Sequence, residues 1–274
     1  MQQSSLGTLT VKSVRLPNHV TLQFAEQGDP SGLPVVFLHG ATDSWLSFSS
    51  VLPHLPTWMR ALAVTLRGHG ASSRPVIGYR FVDFADDLAL FLDAVAVPAA
   101  VVVGHSMGSY VAQRFAIDYP RRTLGLVLMG SFPALRENPV VRELASAVST
   151  LFDPVDPAFA REFQESTLAR PIDPASLDAF VRESLKVPAH VWRAIFAEFL
   201  ETDFSTELGR IEAPTLITWG DRDAIFPRSD QLALLDAIRG SRLLVYPGAG
   251  HAFHWEDPVQ FAADFVNFAH SIGA

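Results

Sequence analysis

The sequence predicts an α/β protein: a mostly parallel eight-stranded sheet with helices on both faces and a helical segment inserted after the sixth strand. Short apolar runs alternate along the chain with segments of helical periodicity, which is typical of a parallel sheet covered on both sides. Two of the runs, residues 34–38 and 99–103, are apolar almost throughout, as in strands buried on both faces. Residues 131–212 lack any strand-like pattern.

The predicted strands follow one another in a simple order. Residues 9–27 alternate in polarity around a Pro17-Asn18 turn, which indicates two antiparallel edge strands. The six further strands are predicted at residues 34–38, 61–66, 99–103, 124–129, 215–219 and 243–246. Helical spacing of apolar residues predicts helices between them, one of them running from Pro227 to Gly240 and the last beginning at about Pro258.

The inserted segment has the features of short amphipathic helices. Asp156-Pro157 and Asp173-Pro174 predict helix starts, with aspartate as the N-cap and proline in the first turn. We therefore divide the chain into a core, residues 1–130 and 213–274, and a helical cap, residues 131–212. Aromatic side chains in and near this cap are expected to line a substrate pocket: Trp45, Phe132, Phe163, Trp192 and Phe196.

Composition limits the possible functions. The 274 residues include no cysteine, which excludes disulfides, thiol catalysis and thiolate metal sites. A formal net charge of −8 argues against binding to nucleic acid. No apolar run approaches the roughly 18 residues of a membrane span, and the opening Met-Gln-Gln-Ser-Ser lacks the basic and apolar parts of a signal peptide. We expect a cytoplasmic protein that acts on a small molecule without a cofactor, in an oligomeric state that the sequence leaves open.

The most informative segment is residues 101–108, Val-Val-Val-Gly-His-Ser-Met-Gly. An apolar strand that runs into Gly-x-Ser-x-Gly and then a helix exposes the serine hydroxyl at a sharp turn, where a histidine can take its proton. Gly104 and Gly108 permit the close backbone approach that such a turn requires. The pattern predicts Ser106 as a nucleophile, and His105 as a packing residue of the turn rather than a second base.

The expected partners of Ser106 follow late strands, because residues at the carboxyl ends of parallel strands converge on one edge of a sheet. His251, in a glycine-rich turn, is the predicted general base, with His254 as its competitor. Asp223 is the predicted acid and is favoured over Asp221, which suits a turn. A metal site at His251, His254 and Glu256 is the alternative, but the spacing matches no recognised zinc motif and we expect no metal.

A negatively charged oxygen on the substrate needs hydrogen-bond donors. The backbone amide after the nucleophile, that of Met107, is one candidate. The other is the amide of Ala41, in the loop that follows the strand at residues 34–38. Gly40 allows this loop a tight path, and His39 is expected to brace it.

These motifs together resemble those of one family. His39-Gly40, Arg67-Gly-His-Gly70, Gly104-His-Ser-Met-Gly108, Gly220-Asp-Arg-Asp223 and Gly250-His251 occur in the order found in capped members of the α/β-hydrolase superfamily, of the serine esterase, lactonase and perhydrolase kind. The resemblance implies that the aspartate closing Gly-x-x-Asp, here Asp223, is the acid of a catalytic triad. It covers nearly the whole chain and is poorly specific for substrate.

The sequence also departs from some relatives in this superfamily. Many carry aspartate two positions before the arginine of the Arg-Gly-His-Gly turn, where this chain has Thr65. A single glycine after His39 weakens the similarity to certain lipases and carbon-carbon bond hydrolases, which have several. Serine as the nucleophile argues against haloalkane dehalogenases and epoxide hydrolases, which use aspartate.

The function that these residues favour is hydrolysis of a carboxylic ester or lactone of a small, largely apolar substrate through an acyl-enzyme. Two alternatives use the same residues. One is other chemistry on the same triad, namely perhydrolysis of the haloperoxidase kind or carbon-carbon bond cleavage. The other is a ligand sensor that reacts once and then stalls.

Overall fold

In the computed structural model, which describes residues 9–273, the chain forms the predicted eight-stranded sheet. Its strand order is β1-β2-β4-β3-β5-β6-β7-β8, antiparallel at β1–β2 and β2–β4 and parallel at every other pair. The opening residues 1–8, in which we expected no signal peptide, and residue 274 lie outside the described part. The strands are β1 (Thr10–Arg15), β2 (Thr21–Gly28), β3 (Leu33–Leu38), β4 (Met59–Val64), β5 (Ala100–His105), β6 (Thr123–Met129), β7 (Thr215–Gly220) and β8 (Arg242–Tyr246).

Helices cover both faces of this sheet, which confirms the predicted fold class. They are α1 (Phe81–Ala94), α2 (Met107–Asp118), α3 (Pro139–Ser149), α4 (Pro157–Glu165), α5 (Pro174–Ser184), α6 (Ala189–Glu201), α7 (Arg228–Ala237), α8 (Phe253–Glu256) and α9 (Pro258–Ser271). No helix within residues 9–273 has the length and apolar character needed to cross a bilayer.

The two apolar cores follow from the alternation of side chains along buried strands. In β3, Val36 and Leu38 pack in the cluster that includes residues of α1 and α2, whereas Val35 and Phe37 pack in the cluster that includes residues of α9. Because both faces of such a strand are buried, its sequence is apolar throughout rather than alternating. The continuous run that predicted β3 is therefore a consequence of helices on both sides.

Four helices, α3 to α6, lie between β6 and β7. Asp156 Oδ1 accepts a hydrogen bond from the Ala158 amide at 2.9 Å, and Asp173 Oδ2 accepts one from the Ser176 amide at 3.0 Å, so both predicted N-caps are formed. The additional helix α3 begins in the same manner at Asn138. The division into core and cap at residues 131 and 212 remains a prediction, and we use the word cap for that segment below.

The predicted strand at residues 61–66 is shifted by two residues in the structure, where β4 covers Met59–Val64. Leu66 is drawn out of the sheet because its amide donates to Nε2 of His39 at 3.0 Å and its carbonyl accepts from the amide of His69. The apolar run continues to Leu66 only because that side chain is also buried. Apolar character therefore marked burial rather than the end of the strand.

The Arg67-Gly-His-Gly70 turn that follows β4 is tied to α1 by a buried ion pair. Nε and Nη2 of Arg67 each donate to one carboxylate oxygen of Asp87 at 2.6 Å. Asn18 donates to the same carboxylate at 2.7 Å, and Nη1 of Arg67 donates to the carbonyl of Gly78. Because these groups satisfy one another away from water, removal of one partner leaves a buried charge without compensation.

We expect the substitution Asp87→Ala to lower the free energy of unfolding by about 3–5 kcal/mol, because it leaves the Arg67 guanidinium buried and unpaired. The control is Glu137→Ala, which breaks an exposed ion pair with Arg142 and should change stability by less than about 0.5 kcal/mol. Urea denaturation monitored by circular dichroism measures both. Equal, small effects of the two substitutions would contradict the importance of the buried pair.

Candidate active site

Ser106 lies in a sharp turn between β5 and α2. Its backbone has φ 53° and ψ −118°, a left-handed conformation that is unfavourable for any residue with a Cβ. The two flanking glycines make this turn possible. A Cβ on Gly104 would lie 2.2 Å from the carbonyl oxygen of Gly108, and one on Gly108 would lie 2.2 Å from that of Leu38. The strand and helix therefore pack closely enough to present the serine hydroxyl at the end of the sheet.

His251 and Asp223 follow β8 and β7 and meet at this same end of the sheet. Nδ1 of His251 lies 2.8 Å from Oδ2 of Asp223, and both side chains are almost completely buried. The other oxygen, Oδ1, accepts hydrogen bonds from the amides of Ile225 at 2.8 Å and Phe226 at 3.0 Å, which fix the carboxylate. Since the carboxylate accepts from Nδ1, Nε2 of His251 is left free to accept a proton.

The other aspartate of this turn, Asp221, has a different partner. Its Oδ1 accepts a hydrogen bond from the amide of Gly248 at 2.5 Å, so it links the turn after β7 to the turn after β8.

His254, the alternative general base, also has a different partner. His254 is buried at the start of the chain's last helical region, in α8, and its Nε2 lies 3.2 Å from Oγ of Ser47.

Two glycines make room for His251, a role that the sequence analysis did not assign to either of them. A Cβ on Gly130, directly after β6, would lie 2.9 Å from Nδ1 and Cε1 of the His251 ring. A Cβ on Gly220, at the end of β7, would lie 2.3 Å from the carbonyl oxygens of Ala249 and Gly250. Both positions follow apolar strands, which is the signal that could have identified them.

The amides of Ala41 and Met107 make no hydrogen bond within residues 9–273. Ala41 lies in the loop after β3, and Met107 is the first residue of α2, where helical amides have no partner in their own helix. Ala41 also lines the cavity that contains Ser106. These amides are therefore available to a bound oxygen atom.

Ser106, His251 and Ala41 line one small cavity of about 40 Å³ between the sheet edge and the cap. Among the described residues, the hydroxyl of Ser106 and the imidazole of His251 form no direct hydrogen bond, as is common for a nucleophile and base without substrate. The remaining lining is mostly apolar: Gly40, Asp43, His105, Leu135, Val141, Leu144, Phe163, Gln164, Thr167, Phe196, Phe199, Ile225, Phe226 and Trp255.

The predicted pocket residues require a correction. Phe163 and Phe196 line this cavity, but Trp45, Phe132 and Trp192 do not. Phe132 is buried behind the lining, with its ring 4.6 Å from that of Phe226, and Trp192 packs edge-on against Phe163. Trp45 packs against the core cluster on the opposite face of the sheet. Phe132 and Trp192 therefore support the wall instead of forming its surface, and Trp45 belongs to the other cluster.

Comparison with known proteins agrees with this architecture. The family model described as "alpha/beta hydrolase fold" matches residues 34–258. The chain belongs to the α/β-hydrolase family. It is 30% identical over 258 residues to a 2-hydroxy-6-oxononadienedioate/2-hydroxy-6-oxononatrienedioate hydrolase of Klebsiella pneumoniae, covering 85% of this chain and 86% of the relative.

A second relative of this α/β hydrolase is a non-heme chloroperoxidase of Streptomyces lividans, 26% identical over 287 residues, with 97% of this chain and 100% of the relative covered. A solved structure of a hydrolase from Pseudomonas aeruginosa PA01 is 26% identical and superimposes with a TM-score of 0.84 over 95% of this chain and 98% of that chain. Relatives of this family thus carry names that imply different reactions.

A second, larger pocket of the hydrolase, about 330 Å³, adjoins the cavity that holds Ser106. Leu144 of α3, Phe163 of α4 and Ile225 after β7 line both spaces, so they form the boundary between them. The outer pocket also contains Glu143 and Glu162. These three side chains therefore form the wall that the two spaces share.

The histidines beside the site are held neutral by burial. Burial lowers the pKa of His254 to about 3, and the charge of His251 adds to that effect. Burial likewise holds the pKa of His105 well below its usual value. Among residues 9–273 no group of three histidine, aspartate or glutamate side chains is arranged to hold a metal ion. The carboxylate of Glu256 instead accepts hydrogen bonds from backbone amides, including that of Gly250.

The sequence analysis missed Asp43, the one carboxylate among the residues that line the inner cavity. It is buried, and burial raises the pKa of its carboxyl group to about 7. The charge of nearby Glu183 also raises this pKa. Hydrogen bonds from Gln164 and Ser47, and the charge of His251, lower it and so offset part of the effect of burial. A raised pKa means that the folded protein retains this proton at pH values where the unfolded chain has lost it.

This pKa predicts a pH-dependent cost to stability. Between about pH 4 and pH 7 the unfolded chain releases the Asp43 proton first, so stability falls as pH rises through this window. Asn at this position cannot titrate. We expect the unfolding free energy of wild type, relative to Asp43→Asn, to fall by roughly 4 kcal/mol between pH 4 and pH 8.

Urea denaturation of both proteins across this range measures the difference, and the titration of groups that do not interact with Asp43 cancels between them. A difference that does not change with pH would show that the carboxyl group of Asp43 has the same proton affinity in the folded and unfolded states.

Proposed function

We propose that this α/β hydrolase cleaves a carboxylic ester or lactone of a small, largely apolar substrate through an acyl-enzyme on Ser106. The observation that carries the proposal is the 2.8 Å contact of Nδ1 of His251 with Asp223, in a cavity shared with a serine in a strained turn. A fixed imidazole with Nε2 free, next to an exposed hydroxyl, is the arrangement that activates serine as a nucleophile.

The proposed reaction has two halves. Nε2 of His251 takes the hydroxyl proton of Ser106 while its oxygen attacks the carbonyl carbon, and the amides of Ala41 and Met107 stabilise the oxyanion. His251 then gives the proton to the leaving alcohol, and the acyl group stays on the serine. In the second half His251 takes a proton from a water molecule, whose oxygen attacks the acyl carbon, and then returns that proton to the oxygen of Ser106 as the bond to the acyl group breaks and the acid is released. Asp223 stabilises the imidazolium in both halves.

The lining of the inner cavity supports a small and apolar acyl or alcohol group. Leu135, Val141 and Phe199 surround it, and its volume of about 40 Å³ leaves room for only a few heavy atoms before the ligand passes the boundary to the outer pocket. Transfer of such apolar groups from water contributes about 25 cal/mol per Å² of buried surface. Short-chain or ring-closed esters are therefore the substrates that fit best.

We expect Ser106→Ala to lower kcat for short-chain aryl esters by several orders of magnitude, on the order of 10⁶ as in other serine enzymes. Labelling of wild type with a fluorophosphonate, followed by mass spectrometry of peptides, should place the adduct on Ser106. The alanine variant should remain unlabelled. An adduct on another residue, or more than one per cent residual activity in the variant, would contradict the assigned nucleophile.

The acid is tested by Asp223→Asn, which preserves shape but removes the charge that orients and stabilises the imidazole. We expect kcat to fall by about 10⁴. Asp221→Asn is the matched control on the same turn. Within residues 9–273 the only hydrogen-bond partner of the Asp221 side chain is the amide of Gly248. The control should retain kcat within about threefold. If the two variants were equally active, Asp223 would not be the acid.

Carbon-carbon bond hydrolysis is the second candidate, favoured by the 30% identity to the Klebsiella pneumoniae relative. The same serine and histidine would serve it, and the name of the Streptomyces lividans relative raises perhydrolysis in the same way. Product analysis with a 1,3-diketone, and with an ester in the presence of hydrogen peroxide, separates these reactions from ester hydrolysis. A single-turnover burst without further product on every ester and lactone would instead indicate a ligand sensor.

A further inference from the structure

We propose that Oδ2 of Asp43 and Nδ1 of His105 form a polar subsite that binds a hydroxyl or amino group of the substrate close to the scissile carbonyl. The inference rests on the proposed function and adds a substrate class to it, namely esters or lactones that carry a hydrogen-bond donor next to the reacting bond. Both residues line the cavity that contains Ser106, Ala41 and His251.

The tautomer of His105 follows from its one hydrogen bond within the described residues. Its Nε2 lies 3.1 Å from the carbonyl oxygen of His251, and a carbonyl can only accept, so Nε2 carries the proton. The ring is neutral because burial lowers its pKa. Nδ1 therefore presents a lone pair, and it is buried without a partner among residues 9–273. A buried acceptor in this state favours a ligand that donates to it.

Asp43 presents a second acceptor to the same space. Its Oδ1 accepts from Nε2 of Gln164 at 2.9 Å, whereas Oδ2 has only a long hydrogen bond of 3.3 Å from Oγ of Ser47. That hydroxyl also accepts from the indole of Trp255 at 3.1 Å, which holds it in place. A carboxylate oxygen can accept more than one hydrogen bond, so Oδ2 retains capacity for a ligand.

Gly40 brings the two acceptors to one place. A Cβ on Gly40 would lie 3.0 Å from Nδ1 of His105 and 3.2 Å from Oδ2 of Asp43, so both atoms pack against the same side of the Gly40 backbone, where no side chain separates them. Gly40 precedes Ala41, whose amide is the proposed oxyanion donor. The subsite therefore lies beside the loop that carries this donor, in the cavity that contains Ser106.

The electrostatics of the cavity favour a donor. No lysine or arginine is among the described residues that line it, and Glu183 lies close enough to Asp43 to raise its pKa further. A methyl group, a carbonyl or a second carboxylate has no hydrogen to donate, so it would leave these two acceptors without a partner. A hydroxyl or ammonium group supplies the missing hydrogen to both.

The variant Asp43→Asn closes the subsite with little change of shape. Nε2 of Gln164 donates to Oδ1 of Asp43 and to Oγ of Ser184, so in the variant the Asn carbonyl is held toward Gln164 and its amide nitrogen faces His105. That amide then donates to the lone pair of Nδ1 in place of the substrate. The control is Asp230→Asn, which removes another partly buried carboxylate near Asp223, one that does not line the cavity.

The experiment uses two isosteric pairs of esters that differ only by hydroxyl against methyl. The first places the group in the acyl part: para-nitrophenyl β-hydroxybutyrate against para-nitrophenyl isovalerate. The second places it in the alcohol part: hydroxyethyl butyrate against propyl butyrate. The readout is the ratio of kcat/KM within each pair at pH 8, where the carboxyl group of Asp43 is mostly ionised. The ratio is independent of the fraction of folded enzyme.

We expect wild type and Asp230→Asn to prefer the hydroxylated ester in at least one pair by about tenfold or more, and Asp43→Asn to lose that preference. Equal ratios in wild type and Asp43→Asn would overturn the subsite, whatever their absolute rates. If wild type hydrolyses none of the four esters, the proposed function fails, and the subsite is then judged by binding.

In that case the four esters are titrated calorimetrically into Ser106→Ala, which cannot turn them over by the proposed route. Tighter binding of a hydroxylated ester than of its methyl counterpart, abolished in Ser106→Ala combined with Asp43→Asn, would support the subsite independently of catalysis. Equal binding of both members of each pair would overturn it.

Discussion

The close approach of three backbone segments at the turn around Ser106 is the constraint on which the remaining site geometry depends. A non-glycine residue at φ 53° carries a cost of about 1–3 kcal/mol, and the surrounding packing must hold it there. Gly104 packs on α2 and Gly108 packs on the end of β3, at distances that no side chain allows. The same contacts bring the loop after β3, with Gly40 and Ala41, beside the serine.

The rest of the site follows from the parallel sheet. β5, β6, β7 and β8 end at one edge, so the turns after them meet in space although the chain between them passes through the cap. Gly130 and Gly220 then determine how near the turn that carries His251 can come to the sheet. The backbone amides of Ile225 and Phe226 fix Asp223, which in turn fixes the ring. Backbone amides thereby orient the carboxylate, and the carboxylate orients the imidazole.

The cap contributes polar as well as apolar contacts to this edge. Gln164 of α4 donates to Asp43 in the loop after β3, and the amide of Ala252, next to His251, donates to the carbonyl of Thr167. Glu256 accepts from the amide of Gly250 and from that of Ala169. The segment that supplies the pocket wall is therefore hydrogen-bonded to the loop that carries Ala41 and to the turn that carries His251.

Local sequence signals were sufficient to predict the architecture and to identify Ser106, His251 and Ala41, which the structure brings to one cavity. Apolar runs, Asp-Pro pairs at helix starts and the spacing of glycines are patterns of residues that are neighbours along the chain. The sheet, the helices of the cap and the turn at Ser106 could therefore be predicted from them. Tertiary structure decided which aromatic rings face the cavity, since Trp192 lies on the same helix as Phe196 but packs behind the lining, against Phe163. It also decided the state of Asp43 and the unpartnered Nδ1 of His105, because burial and hydrogen-bond partners come from segments far apart in the chain.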